Sequence, residues 1–273
     1  MPSSNRPNMT EAEILFNETF VRWLRAGAIV TNFRKTFTAV ASDASEHLEG
    51  LATELVRSLH EDPQWRGILK DIKTGEPAGP GLPSDYQKLG KIGAKDIFDT
   101  SYASLDAATL VFYHSLLDGV AFDYCRVTAL HAPQDWEQEL KASQIPLLQA
   151  KTESYDALLR VKIDERLNNL ERESVLTKIN RLFARCTPPA GWSPMDGYSF
   201  DQKQIELFDE QRHEIIHGKA LGKPLSLFRI SDENLFYIQQ TGMFLMGLVN
   251  RKYSLKISPS YWQSQLLRPT TPL

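Results

Sequence analysis

Cysteine is scarce in this 273-residue chain: Cys125 and Cys186 are its only two, on separate predicted helices and without a CxxC pair. That argues against a disulfide framework and against a cysteine-held structural zinc, and makes a reducing cytoplasm the expected compartment. Long apolar runs are missing as well. The longest, Met243–Val249, includes Gly247 and falls far short of the ~20 residues that span a bilayer. Residues 1–10 are polar and lack the apolar core of a secretory signal, so no membrane partner is expected. Basic charge is not in excess: Lys and Arg total 31 against 34 Asp and Glu, a net charge of −3. Proteins that track nucleic-acid backbone without specificity are normally basic. A nucleic-acid role here therefore requires a local basic cleft and a compact or single-stranded target. Strand signals are nearly absent, and no repeat or low-complexity tract appears. Gly90-Lys91-Ile92-Gly93 is no phosphate loop, since it lacks the G-x4-G-K-[ST] order and no strand precedes it.

What is present is helical periodicity, which predicts an all-α protein. After a flexible stretch 1–9, Thr10 and Glu13 form a capping box that opens a helix through Ile14, Phe20, Trp23 and Leu24, continuing past Gly27 to Phe37. A second helix is expected over 43–59 and a short one around Trp65–Leu69. The Gly/Pro-rich loop 75–83 then closes an N-terminal helical region, 10–98. From Ser101 or Ser104 a helix runs to about Leu130 and turns Leu110, Leu117, Val120 and Tyr124 to the core. Residues 153–186 read as one helix about 50 Å long, stopped by Thr187-Pro188-Pro189. Ser231, Asp232 and Glu233 open a final helix that is apolar nearly all round, through Phe244, Leu245, Met246, Leu248 and Val249, and is therefore buried centrally or in a subunit interface. The bundle is expected over 99–256 and an irregular tail over 257–273.

Between these helices lies the run Arg212-His213-Glu214-Ile215-Ile216-His217-Gly218. Ser199 as N-cap, Gln202 three residues on and Gly218 at C′ predict a helix from about Phe200 to His217. Turning ~100° per residue, Ile205, Phe208, Ile215 and Ile216 form its apolar stripe, with Arg212 in the middle and His213 and His217 at the edge. A guanidinium cannot shed its charge, so its place on an apolar face calls for a partner or a site.

The run supports two readings. As His-Glu-x-x-His, His213 and His217 are one turn apart, with Glu214 as general base for a metal-bound water. Ala220 and Lys223 stand where an extended zinc motif needs Gly and His, and Glu233 is the remaining carboxylate to recruit. As Arg-polar-x3-His-Gly, Arg212-His213-x3-His217-Gly218 resembles the signature of the HEPN family (higher eukaryotes and prokaryotes nucleotide-binding domains) over roughly Ser101–Tyr253. A second Arg-x4-His, Arg126–His131, has Val127 in the polar slot and is followed by Ala132-Pro133, so it reads as a coincidence.

The resemblance implies an antiparallel bundle of about four helices. It also implies a metal-independent endoribonuclease, often a toxin or antiviral factor, that commonly dimerises with its motif helices facing. No cofactor and no metal are expected; RNA and a second copy of the chain are, with any antitoxin or activator left unidentified. Cleavage by the RNA's own 2′-OH needs a base near neutrality and a cation on the phosphorane. His217 is expected to supply the base and Arg212 the cation, with His213 positioning phosphate or sharing proton transfer. His114 and Asp118, i and i+4 on one helix, and the loop Trp192 are candidate substrate contacts. Residues five apart diverge by about 140° on an ideal helix, which fraying at Gly218 or a site shared by two subunits overcomes. A related toxin class carries a modified Tyr two residues past the His; Lys219 stands there in this chain. A catalytically silent HEPN-like binding or dimerisation module is the alternative, and a zinc hydrolase the second.

Overall fold

The computed structural model describes residues 9–61, 84–141, 154–192, 198–217 and 230–266, and among these every regular element is helical. The expected helix at 65–69, the loop 75–83 and Gly218 lie outside the described residues. In chain order the helices are α1 (Glu11–Glu61), α2 (Ser84–His131), α3 (Glu137–Lys141, after a 3-10 turn at Pro133–Trp136), α4 (Tyr155–Glu171), α5 (Val175–Cys186), α6 (Gln202–Ile216), α7 (Asp232–Tyr253) and α8 (Pro259–Leu266).

Several boundaries depart from the sequence expectation, each for a local reason. Thr10 and Glu13 do cap α1 reciprocally, at 2.8 and 3.2 Å. The helix then runs unbroken to Glu61, where two helices were expected, because no proline interrupts it. Likewise α2 starts at Ser84 rather than at Ser101 or Ser104, bracketed by Pro83 and Pro133. The single helix expected over 153–186 is two. Arg172 ends α4, its N–H turned to the carbonyls of Asn169 and Leu170, and Ser174 starts α5 by accepting the Thr177 N–H. The α6 cap is Asp201, which accepts from Lys203 N–H at 2.9 Å, and not Ser199. Ser231 caps α7 as expected. The tail is not wholly irregular, since Pro259, pre-set for a first helical turn, opens α8.

The chain divides into two compact units. One comprises residues 1–29, 109–219 and 230–273; the other comprises 30–108 and 220–229. The division falls inside α1 and α2, so the region expected as 10–98 is shared between them. In the second unit, Arg34 pairs with buried Asp106 at 3.2 Å, and the Thr38 and Tyr102 hydroxyls lie 2.9 Å apart.

The first unit holds the core that carries the motif. Leu110, Leu117, Val120 and Tyr124 of α2 are buried, with Ile179 and Leu182 of α5, Ile205 and Phe208 of α6, and Phe244, Leu245, Leu248 and Val249 of α7. Tyr124 meets Phe16 at 5.7 Å and Phe183 meets Phe244 at 5.9 Å between ring centres. α7 touches α1 through Gly242 and Trp23, α2 through Gln239 and Tyr113, α5 through Phe244 and Phe183, and α6 through Tyr237 and Phe208, which accounts for its nearly all-round apolar sequence.

The C-terminal segment is fastened to α1 by several side chains: Glu13 accepts from the Lys256 N–H at 3.1 Å, Glu18 accepts from the Tyr261 hydroxyl at 2.8 Å, and Asn17 makes three bonds to it. Fully buried Asn17 donates to the Lys256 carbonyl at 2.9 Å and accepts from the Ser258 N–H at 3.1 Å and the Trp262 indole at 2.6 Å. Each group orphaned by Asn17→Ala costs roughly 1–3 kcal/mol. The variant is expected to melt earlier and to be cut by protease after Tyr253 faster than the parent. Equal protection of that segment in limited proteolysis would show that the anchor is elsewhere.

Candidate functional site

The motif helix α6 meets α2 and the start of α5 around an open cleft of about 630 Å³, within the range of about 300–1,000 Å³ usual for ligand sites. Its walls include His114 and Asp118 from α2, Arg172–Val175 from the α4/α5 break, and Asp209, Glu210, Arg212, His213 and Glu214 from α6. The break matters here: a continuous helix over 153–186 would carry no capped terminus into this wall.

Arg212 is half-buried, and its Nε is shut off from solvent with no hydrogen-bond partner among the described residues. Across from it sits His114, 5 % exposed. Its Nε2 lies 2.9 Å from Asp209 Oδ1, out of line for a well-directed hydrogen bond, so neither ring nitrogen is satisfied. Burial pushes the His114 pKa below the ordinary 6.5. The Arg212 charge adds to that, while Asp209 and Asp118 oppose it. The imidazole is thus neutral at pH 7.

That depression has a consequence for stability. The unfolded chain protonates His114 near pH 6.5 and the folded protein only at lower pH, so protons favour unfolding. Stability is lost as pH falls through 6.5, and the loss is complete below the folded value. His114→Gln is expected to show a shallower fall in urea midpoint between pH 7 and pH 5 than the parent. Identical slopes would mean that His114 is not held neutral.

Asp118 is paired at 2.6 Å with the ammonium of Lys178, whose side chain is 1 % exposed and which also donates to the Glu171 carbonyl at 3.0 Å. Sequence reasoning missed Lys178, although the signal was there. It occupies the buried face of α5 with Val175, Ile179 and Leu182, the same anomaly that marks Arg212 on α6.

The cleft brings together four of the six expected site residues: His114, Asp118, Arg212 and His213. His217 is exposed at the end of α6, where ψ 14° already leaves the helix, and its ring centre lies 4.2 Å from that of His213. Glu214, set apart from Arg212 on an ideal helix, lines the cleft as well. Trp192 packs on Phe244 at 5.6 Å with Arg251 over its face at 5.2 Å, and so covers the core. The other Arg-x4-His copy is split: Arg126 pairs with Asp164 at 3.1 Å and His131 packs against Tyr253.

One expectation is corrected. The lining of this cleft is not basic, for it carries the acids Asp118, Glu173, Asp209, Glu210 and Glu214 against Arg172 and Arg212. Two of these acids are held in ion pairs: Asp118 by Lys178 at 2.6 Å and Glu173 by Arg181 at 3.2 Å. Among the described residues, no group of three or more His, Cys, Asp or Glu is placed to hold a metal ion. His213 and His217 thus lack a third ligand there. Burial raises the Cys125 thiol strongly and Cys186 to about 11, so neither is a ready thiolate. No described helix is long and apolar enough to cross a membrane. No protein-family model, curated protein or solved structure matches the chain.

Proposed function

We propose that the chain is a metal-independent endoribonuclease of HEPN type, cleaving RNA by attack of the substrate's own 2′-OH. The observation that carries this is the half-buried Arg212, its Nε unpartnered, in a cleft shared with two imidazoles. A guanidinium left without its full set of bonds is suited to take a phosphodiester oxygen and the charge that grows there in the transition state. In this reading exposed His217 is the general base and His213 positions the phosphate. Neutral His114, against Asp209, keeps the Arg212 wall in place. Engaged acids limit the cleft to a local phosphate contact rather than a backbone track, in keeping with the net charge of −3.

A second copy of the chain is the proposed partner. On α6 Ile216, beside His217, is 46 % exposed, and a two-fold contact at this end of the motif helix covers it. Such a contact sets Arg212 of one subunit near His217 of the other. Toxin or antiviral roles, with or without a partner protein, follow the resemblance alone.

The acid-rich lining favours the second reading, a catalytically silent HEPN-like binding or dimerisation module. Incubating purified protein with total RNA, with and without EDTA, separates the two. EDTA-insensitive cleavage supports the nuclease. Intact RNA at all protein concentrations favours the silent module, and EDTA-sensitive cleavage returns the case to a metal.

A further inference from the structure

We infer that Asp118, clamped from behind by Lys178, reads a guanine base in the cleft, a proposal that rests on the cleft being an RNA site. The clamp is unusual in its burial. Lys178 is 0 % exposed and spends its donors on Asp118 Oδ1 at 2.6 Å and the Glu171 carbonyl at 3.0 Å. Burying an ammonium is costly, and a pair of this kind often stabilises a fold no better than apolar residues of the same volume. What it does secure is position: a carboxylate fixed in one orientation.

Asp118 is not buried with its partner. Its side chain is 33 % exposed and lines the cleft that Arg212 shares. The pair is therefore one-sided, with the cation inside and the anion facing the ligand space. An ionised carboxylate only accepts hydrogen bonds, and with two lone pairs per oxygen it can hold Lys178 and a two-donor ligand together. Guanine presents such a ligand edge, N1–H beside N2–H2. Adenine, cytosine and uracil each offer a single donor group. The same chemistry explains why acids and an arginine line one cleft. The arginine faces a phosphate oxygen and the acid faces the donor edge of the attached base.

Lys178 is a positioning residue in this scheme, acting through Asp118. The test uses the full chain and two nucleotides, guanosine 5′-monophosphate and inosine 5′-monophosphate, which differ only by the N2 amino group, with affinities read by calorimetry. The parent is expected to bind the guanosine nucleotide roughly tenfold tighter or more, the scale of a hydrogen bond to a charged group. Lys178→Met leaves Asp118 in place, yet should shrink that ratio several-fold. Asp118→Leu/Lys178→Met removes both charges together and so keeps the fold free of an orphaned ion; its ratio should fall to about one. Equal affinities in the parent, or an unchanged ratio in the double variant, would overturn the proposal. An unchanged ratio in Lys178→Met alone would remove Lys178 from it. Guanine discrimination without RNA cleavage would sink the nuclease reading and leave this site standing; cleavage without guanine discrimination would do the reverse.

Discussion

Arg212→Ala is expected to lower RNA cleavage by about 10²–10⁴-fold, and His217→Ala to match it, the scale on which a positioned acid, base or charge contributes. The control is built into the chain. Arg126 and His131 repeat the Arg-x4-His spacing, but Arg126 is tied to Asp164 in a half-exposed pair and His131 lies against Tyr253. Such a pair is worth about 0–1 kcal/mol, so alanine at either position should leave a folded, active enzyme. Equal losses at both pairs would mean that the motif at 212–217 is not the site. Because Arg212 also helps keep His114 neutral, its variant is to be compared at matched stability, by urea midpoint at the assay pH.

The largest effect on stability is expected at Gly242. This residue of α7 is where Trp23 of α1 crosses the helix: a Cβ added there meets indole atoms at 2.2–2.7 Å, closer than atoms can approach. Trp23 is buried, so the ring cannot swing aside without displacing its neighbours. Alanine gains up to about 1 kcal/mol in helix propensity over glycine. Overpacking of this kind costs about 1–3 kcal/mol or more, so the clash wins. Gly242→Ala should lower Tm by several degrees, at about 2–4 °C per kcal/mol for a domain of this size, and Trp23→Leu in the same background should recover part of the loss. A variant as stable as the parent would show that α1 and α7 do not touch through this pair.

How far the sequence carried the fold depends on the element. The all-α class, the Thr10/Glu13 and Ser231 caps and the buried faces of α2 and α7 were legible because each is written within a few residues, as a cap or a 3.6-residue period. The break at Arg172–Ser174 was not, since nothing there resembles a breaker. Ser174 competes for the backbone only because the phase of buried residues shifts between α4 and α5. Continuity of α1 through 38–42 was missed for the opposite reason, since weakly apolar sequence reads as a gap although no proline enforces one.

The site divides along the same line. Arg212 stood out as a cation on an apolar stripe, and His114 and Asp118 as neighbours on one helix. Their meeting with α6, and the role of Lys178, depend on contacts between helices 60 and more residues apart. Spacing within one helix says nothing of those. The expected basic lining of the cleft failed on the same ground, because Asp209, Glu210 and Glu214 of α6 meet Asp118 and Glu173 from other elements there.

The most direct measurement replaces one ribose. An RNA oligonucleotide cut at a single mapped position is resynthesised with a 2′-deoxy residue 5′ to the scissile phosphate and incubated with the purified chain in EDTA. If the attack comes from the substrate's own 2′-OH, the deoxy oligonucleotide stays intact, and the all-ribose parent yields a 2′,3′-cyclic phosphate end that Arg212→Ala does not produce. Cleavage of the deoxy oligonucleotide at the same position, with a linear phosphate end, would contradict the account.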